Sequence, residues 1–425
     1  MLVGSKPRRV AVIGGARIPF ARAHGAYASV GNPQMLTASL KAVVERFSLK
    51  GVRLGDVVAG AVMKHSSQWN LAREAMLDSG LSPETPGLDV QRACGTSIEA
   101  AIIIANKIAL GQIDAGIAGG VDTVSDPPIV FGREYQQLML RVFRARSFGE
   151  RIKPFLGLRP RHFKPSYPGT GEPRTGLSMG QHAEQMARSW KITRAEQDEL
   201  AFQSHQRAAR AWAEGFMSDL AVPYLGLAID NNVRADTSLE KLAKLKPSFA
   251  ADGTLTAGNS TPMTDGSASV LLGSEDWAHS RGLPIQAWMT YGKAAAVDFV
   301  GGEGLLMAPA YAVPRMLADA GLTLQDFDFY EIHEAFAAQV LCTLKAWESP
   351  QFCRERLGLP APLGPIDRAK LNVKGGSVAV GHPFAATGAR IVATLAKLLA
   401  ERGSGRGLIS VCTAGGMGVT AIMEK

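Results

Sequence analysis

Cysteine is scarce in this chain: Cys94, Cys342, Cys353 and Cys412 are four in 425 residues. So few exclude a disulfide-framed fold, and none sit in the Cys-x-x-Cys spacing of a structural zinc site. Long apolar runs are also lacking, and none approaches the ~20 residues needed to cross a bilayer. Val10-Ala11-Val12-Ile13 is too short for a signal-peptide core and breaks at Gly14-Gly15 with no cleavage pattern. The expectation is an intracellular, cytoplasmic protein. Charge is sparse too, at 20% of residues with a net +8. This is the composition of a soluble globular protein, and no nucleic-acid partner is expected.

The length allows two or three domains and a sizeable core. Short apolar runs alternate with helical patterns. Val10–Gly14, Val57–Val62, Leu88–Val90 and Ala115–Ala118 read as strands; Gln34–Phe47, Asn70–Ser79 and Ile98–Leu110 read as helices. This alternation predicts an α/β fold, with helices covering a sheet. The rhythm breaks between about 128 and 255. That stretch holds a Pro/Gly-rich loop (164–176), a helix from Ser178 through Trp190, and a second helix opened by Thr193-Arg194-Ala195-Glu196, a capping box. Long insertions of this kind are usually functional. The last third resumes the alternation, with helices expected at 310–320, 334–347 and 387–402. Both halves share an order of reactive loop, long helix, buried strand and Gly-Gly, which points to a duplicated α/β unit.

Four places carry candidate chemistry. Cys94 stands between a strand and a long helix, where the helix dipole and free N–H groups favour a thiolate nucleophile. A buried inert thiol is the plainer reading of any single cysteine. His382 lies in Gly381-His382-Pro383 ahead of a helix, and a rigid loop suits a general base. Cys412 ends a strand and precedes Thr413-Ala414-Gly415-Gly416, small residues whose N–H groups can face an oxyanion. His333-Glu334-Ala335-Phe336 follows a strand; His333 is a candidate donor to an oxyanion and Glu334 a candidate orienting group. Read alone, that motif is an ordinary helix start.

Together these motifs, with Asn259-Ser260-Thr261-Pro262-Met263-Thr264-Asp265-Gly266, resemble the thiolase family over nearly the whole chain. His333, where most of the family carries Asn, and Ala414, where most carries Gly, make the resemblance closest to the β subunits of trifunctional fatty-acid oxidation complexes. The resemblance implies a thiolase fold: two duplicated α/β domains in five-layered αβαβα packing plus an inserted loop domain. The divisions would be 1–127 with 256–280, 128–255, and 281–425. It implies a 3-ketoacyl-CoA thiolase of fatty-acid β-oxidation, an acyltransferase working through an acyl-Cys94 intermediate. His382 would be its base, Cys412 its acid, and His333 an oxyanion donor, with the Ala414 N–H completing a second oxyanion site. Ser178, Met179, Ala257, Ser260, Thr261, Ala335 and Phe336 match positions lining the channel for coenzyme A. Coenzyme A is then a substrate, and neither cofactor nor metal is implied. A homodimer or homotetramer is expected, with a hydratase/dehydrogenase α-type subunit as a candidate partner. The rival readings are a biosynthetic acetoacetyl-CoA thiolase, a decarboxylating ketosynthase, against which Cys412 argues, and a non-catalytic partner subunit.

One feature stands apart. Between Arg133 and Lys164 there are nine Lys/Arg against two acids, a local +7 in an otherwise near-neutral chain. Tyr135, Leu138, Met139 and Val142 recur at helical spacing, with Arg141, Arg144 and Arg146 on or near the opposite face. A solvated face over a core stripe is one reading. Peripheral contact with an anionic membrane or a partner subunit is the other.

Overall fold

The computed structural model describes residues 7–425 apart from Thr170. The first strand, β1 (Val10–Arg17), is buried throughout. Successive strand side chains point to opposite faces. Val10 and Val12 accordingly enter one core, while Ala11 and Ile13 enter another. The chain continues through α1 (Asn32–Arg46), β2 (Asp56–Ala59), α2 (Leu71–Leu77), β3 (Gly87–Asp89), α3 (Thr96–Ala109) and β4 (Ala115–Asp122). The insertion supplies α4 (Arg133–Arg144), α5 (Phe148–Ile152), α6 (Met179–Ser189) and α7 (Arg194–Ala213). Then follow β5 (Thr264–Ser274), β6 (Ala287–Ala296), α8 (Ala308–Ala320), β7 (Phe329–Ile332), α9 (Ala337–Glu348), α10 (Thr387–Arg402), β8 (Arg406–Thr413) and β9 (Met417–Glu424).

The strands run in the order β7-β8-β9-β6-β1-β5-β4-β2-β3. From the β6–β1 junction outward, each half repeats one plan. β1, β5, β4 and β2 on one side correspond to β6, β9, β8 and β7 on the other. The innermost pairs are antiparallel, and β2–β4 and β7–β8 are parallel. Among the described residues, only Ala11–Trp288 and Val12–Ala287 join the halves by strand pairing.

Apolar alternation builds the layers. Residues of α3 and α10 share a central core with Val270 and Leu272 of β5, Ile409 and Val411 of β8, and Val419 and Ala421 of β9. The outer face of the first half packs on α1 and α2, and that of the second on α8 and α9. Helix, sheet, helix pair, sheet and helix make the five layers expected.

The capping box at Thr193 and Glu196 forms as read from the sequence. Helix starts shift elsewhere. α3 begins at Thr96 rather than Ile98, and α9 at Ala337 rather than 334. Residues 333–336 are not helical because Ser260 bridges to Phe336, and the Asn259 carbonyl accepts Ala337 N–H at 2.9 Å. This pairing between distant segments outweighs local helical preference.

The basic segment departs from a simple core stripe. On α4 only Leu138 is buried, and Met139 is exposed. Phe143, Phe148 and Leu156 are 85%, 79% and 83% exposed.

Candidate active site

Cys94 is presented by a strained turn. Ala93 takes φ +43°, a conformation that costs a side-chain-bearing residue about 1–2 kcal/mol. Thr96 Oγ1 holds the turn by accepting Arg92 N–H at 2.9 Å and donating to the Ala93 carbonyl at 2.7 Å. The cysteine then stands one residue ahead of Gly95, the N-cap of α3.

The second half faces it with two imidazoles. Gly381 has φ +100°, and a Cβ there would lie 2.6 Å from Thr264 Oγ1, so only glycine fits before His382. His382 N–H donates to that same hydroxyl at 3.2 Å. Its Nδ1 meets Thr387 Oγ1 at 2.6 Å, on the first residue of α10. Ala385 N–H donates to Asp122 at 2.8 Å, tying this loop to the end of β4. His333 leaves β7 with Nδ1 2.9 Å from Ser377 Oγ. The two rings lie 4.2 Å apart, centroid to centroid. Cys94, His333 and His382 each offer a ligating atom within 4.8 Å of the others. Among the described residues, Nε2 of both histidines is buried with no hydrogen-bond partner. Unpaired buried donors and acceptors are costly, so two aimed at one spot mark a place built for a visitor. A soft metal ion would fit the donor set, but it would occupy the lone pairs that catalysis needs.

Burial dominates the electrostatics. The Cys94 thiol is pushed up to about 12 by desolvation; the N–H groups of Ala414 and Cys94 itself act against this, and Asp122 acts with it. Burial thus outweighs the pull of the helix start toward a thiolate: at neutral pH Cys94 is a thiol. Burial pulls His382 down to about 3, helped by the charge of Arg390. It holds His333 well below the ordinary imidazole range, helped by His382 and Arg390. Both rings are neutral, and the resting state is thiol and imidazole rather than an ion pair.

Cys412 is the penultimate residue of β8, buried, its thiol raised by desolvation and by the nearby Cys94. The β8–β9 turn places its left-handed residues at Gly415 and Gly416, leaving Ala414 free to be alanine. Ala414 N–H points at the Cys94 sulfur. Cys412, Ala335 and Phe336 share an apolar cluster against which Met179 packs. Ser260 and Thr261 join this strip, since Thr261 N–H donates to the Ala335 carbonyl at 3.2 Å. Ser178 caps α6, its hydroxyl accepting Gln181 N–H, and Ala257 is exposed.

Sequence reasoning missed several supporting residues. Glu172, in the insertion, accepts Gly415 N–H at 2.7 Å and so braces the Cys412 turn. Ser377, Thr387, Asp122 and Arg390 hold the histidines and their loop. Glu334 does orient its neighbours: it accepts from Ser204, Asn372 and Val378 N–H. Placement of Ser377 one helical turn before the Gly-His-Pro loop was the one available signal.

The thiolase N-terminal domain family matches residues 10–276, and the thiolase C-terminal domain family matches 285–425. The chain belongs to the thiolase family. It is 42% identical to a 3-ketoacyl-CoA thiolase of Pectobacterium carotovorum over 100% of this chain and 98% of that protein. A protein of the same name from Vibrio cholerae is 42% identical over 98% and 97%. A crystal structure of the Bacillus anthracis acetyl-CoA acetyltransferase superposes with TM-score 0.84 at 31% identity, covering 99% of this chain and 100% of that one.

Proposed function

We propose that the protein is a 3-ketoacyl-CoA thiolase, an acyltransferase that cleaves 3-ketoacyl-CoA with coenzyme A to acetyl-CoA and a shortened acyl-CoA. The observation that carries the reading is the convergence of Cys94 and two neutral, unpartnered imidazole Nε2 atoms. Coenzyme A is a substrate, and the reaction as drawn uses no cofactor.

The substrate's 3-oxo carbon meets Cys94 as His382 Nε2 takes the thiol proton. Coupling the two events avoids a high-energy thiolate in a site that disfavours it. The N–H groups of Cys94 and Ala414 face the oxygen that gains charge. The C2–C3 bond then breaks, and its electron pair passes to the thioester as an enolate. The His333 and protonated His382 Nε2–H groups meet that oxygen, where one donor is worth about 3–4 kcal/mol. Cys412 gives its proton to C2, and acetyl-CoA leaves. Free coenzyme A returns a proton to Cys412, and its sulfur attacks the acyl-Cys94 carbonyl. As Cys94 leaves, it recovers its proton from His382. Mass spectrometry of protein quenched with a 3-ketoacyl-CoA should find the acyl group on Cys94; an enzyme turning over with Cys94 unmodified and replaceable by Ser overturns the reading. Thiolysis across chain lengths separates a β-oxidation role from the biosynthetic alternative, which predicts activity confined to acetoacetyl-CoA.

We also propose peripheral membrane contact through 133–164 in a protein of the cytoplasm. Among the described residues no helix is long and apolar enough to cross a bilayer. Exposed Phe143, Phe148 and Leu156 beside a +7 charge suit the interface of an anionic bilayer. Cosedimentation with phosphatidylglycerol vesicles should fall when Arg141, Arg144 and Arg146 become Glu. Unchanged sedimentation sinks the membrane version and turns attention to an α-type subunit. Self-association as a homodimer or homotetramer is proposed from the open sheet edge at β3, where Leu88 is exposed and Trp69 lies 87% exposed. Light scattering that finds only monomer ends that proposal.

A further inference from the structure

Two imidazoles stand side by side, and thiolysis asks opposite things of them. His382 must offer a lone pair at Nε2, while His333 must offer a proton there. A neutral imidazole carries one ring proton, and its location follows from what the other nitrogen meets. Both rings turn Nδ1 to a hydroxyl, His333 to Ser377 and His382 to Thr387. The surroundings of each hydroxyl therefore decide.

Ser377 has no choice. Arg390 Nη2 donates to its oxygen at 2.9 Å, and a guanidinium accepts nothing. Among the described residues, the remaining neighbour for the Ser377 proton is His333 Nδ1. Receiving that proton's hydrogen bond, Nδ1 is the bare nitrogen, and the ring proton sits on Nε2. Arg390 is itself buried on α10 and faces Glu331 at 3.8 Å, on the strand that leads into His333. Ser377 is fixed as well: its carbonyl accepts Thr261 Oγ1–H at 2.8 Å, and Val378 N–H donates to Glu334 at 3.2 Å. Among the described residues no cation donates to the Thr387 hydroxyl, so it is free either to accept from His382 Nδ1 or to donate to it, and the His382 tautomer is not forced.

We propose that Arg390 and Ser377 form a buried relay that holds the His333 proton on Nε2, making that ring a standing donor to the thioester oxygen beside a neighbour under no such constraint. This rests on the thiolase reading. Arg390 and Ser377 are positioning residues and touch no substrate.

The test joins a spectroscopic and a kinetic readout. Nitrogen-15 NMR of the histidines in the free wild-type protein, assigned by loss of the signal in His333→Asn, should show His333 protonated at Nε2. A ring protonated at Nδ1 overturns the proposal outright, whether or not any variant folds. Ser377→Ala should mix the tautomers and lower kcat about tenfold, with KM for the 3-ketoacyl-CoA nearly unchanged. In the His333→Asn background the carboxamide N–H needs no tautomer setting, so Ser377→Ala should there have little further effect. An equal fold-loss in both backgrounds means a merely structural role and sinks the relay. Absence of thiolysis by the wild type would instead defeat the thiolase reading, while the NMR result would still report the tautomer.

Discussion

The two halves repeat one strand order and one loop–helix junction, yet they fill the junction differently. Cys94-Gly95 precedes α3 in the first; His382-Pro383 and a single turn precede α10 in the second. The two helix starts touch, with Ala389 N–H donating to Ser97 Oγ at 2.7 Å. A Cβ on Gly388 would stand 2.4 Å from Ile98 N. Duplication thus brings equivalent positions face to face, where one holds Cys94 and the other His382. The first half invests in strain, at Ala93. The second invests in a buried polar network, which is costly unless every member is satisfied.

The comparison can be broken at its sharpest point by Cys94→Ser, which should lower thiolysis about 10³-fold or more, read as kcat with acyl-enzyme trapping. His333→Ala should cost about 10²–10³ in kcat, the loss of one oxyanion donor. A similar loss from Ser or Thr substitutions in the first half alone would mean that the division of labour is wrong. Gly388→Ala should lower stability by roughly 1–3 kcal/mol through forced separation of the helix starts, seen as a reduced Tm. Micromolar zinc should inhibit by bridging Cys94 and the histidines, with chelator restoring the rate; inhibition undiminished in His333→Ala would place the ion elsewhere. The mildest test is pH. A thiol raised to about 12 is neutral below that pH, so iodoacetamide alkylation of Cys94 should keep rising from pH 7 to 10. A plateau near 8.5 would indicate an ordinary thiol.

Much of the architecture was legible because it is local. Strand–helix alternation, the capping box at Thr193 and the Gly-His-Pro loop all announce themselves within a few residues. Cys94, His333, His382 and Cys412 stood out as candidates for the same reason, each lying near a strand or helix end. What was hidden depends on distant partners. The 333–336 segment reads as a helix start until 259–261 pairs with it. Cys94 reads as a thiolate until the weight of the surrounding protein is counted. Ser377 and Arg390 look like an ordinary turn serine and helix arginine until the fold sets one against the other. On α4 the apolar spacing predicts burial, but spacing cannot say whether anything lies opposite.

The helices of that basic segment hang from a narrow stem: Val130 pairs with Ser166 and Phe131 with Pro165, and α4 packs chiefly on its own neighbours α5 and 153–163. The insertion as a whole leaves and rejoins the fold where Asp122 and Gly266 are already rung partners. A loop whose ends are held together changes its closure entropy only slowly with length. The stem is therefore a socket. What plugs into it can be lengthened, trimmed or exchanged while Cys94 and its histidines stay as they are.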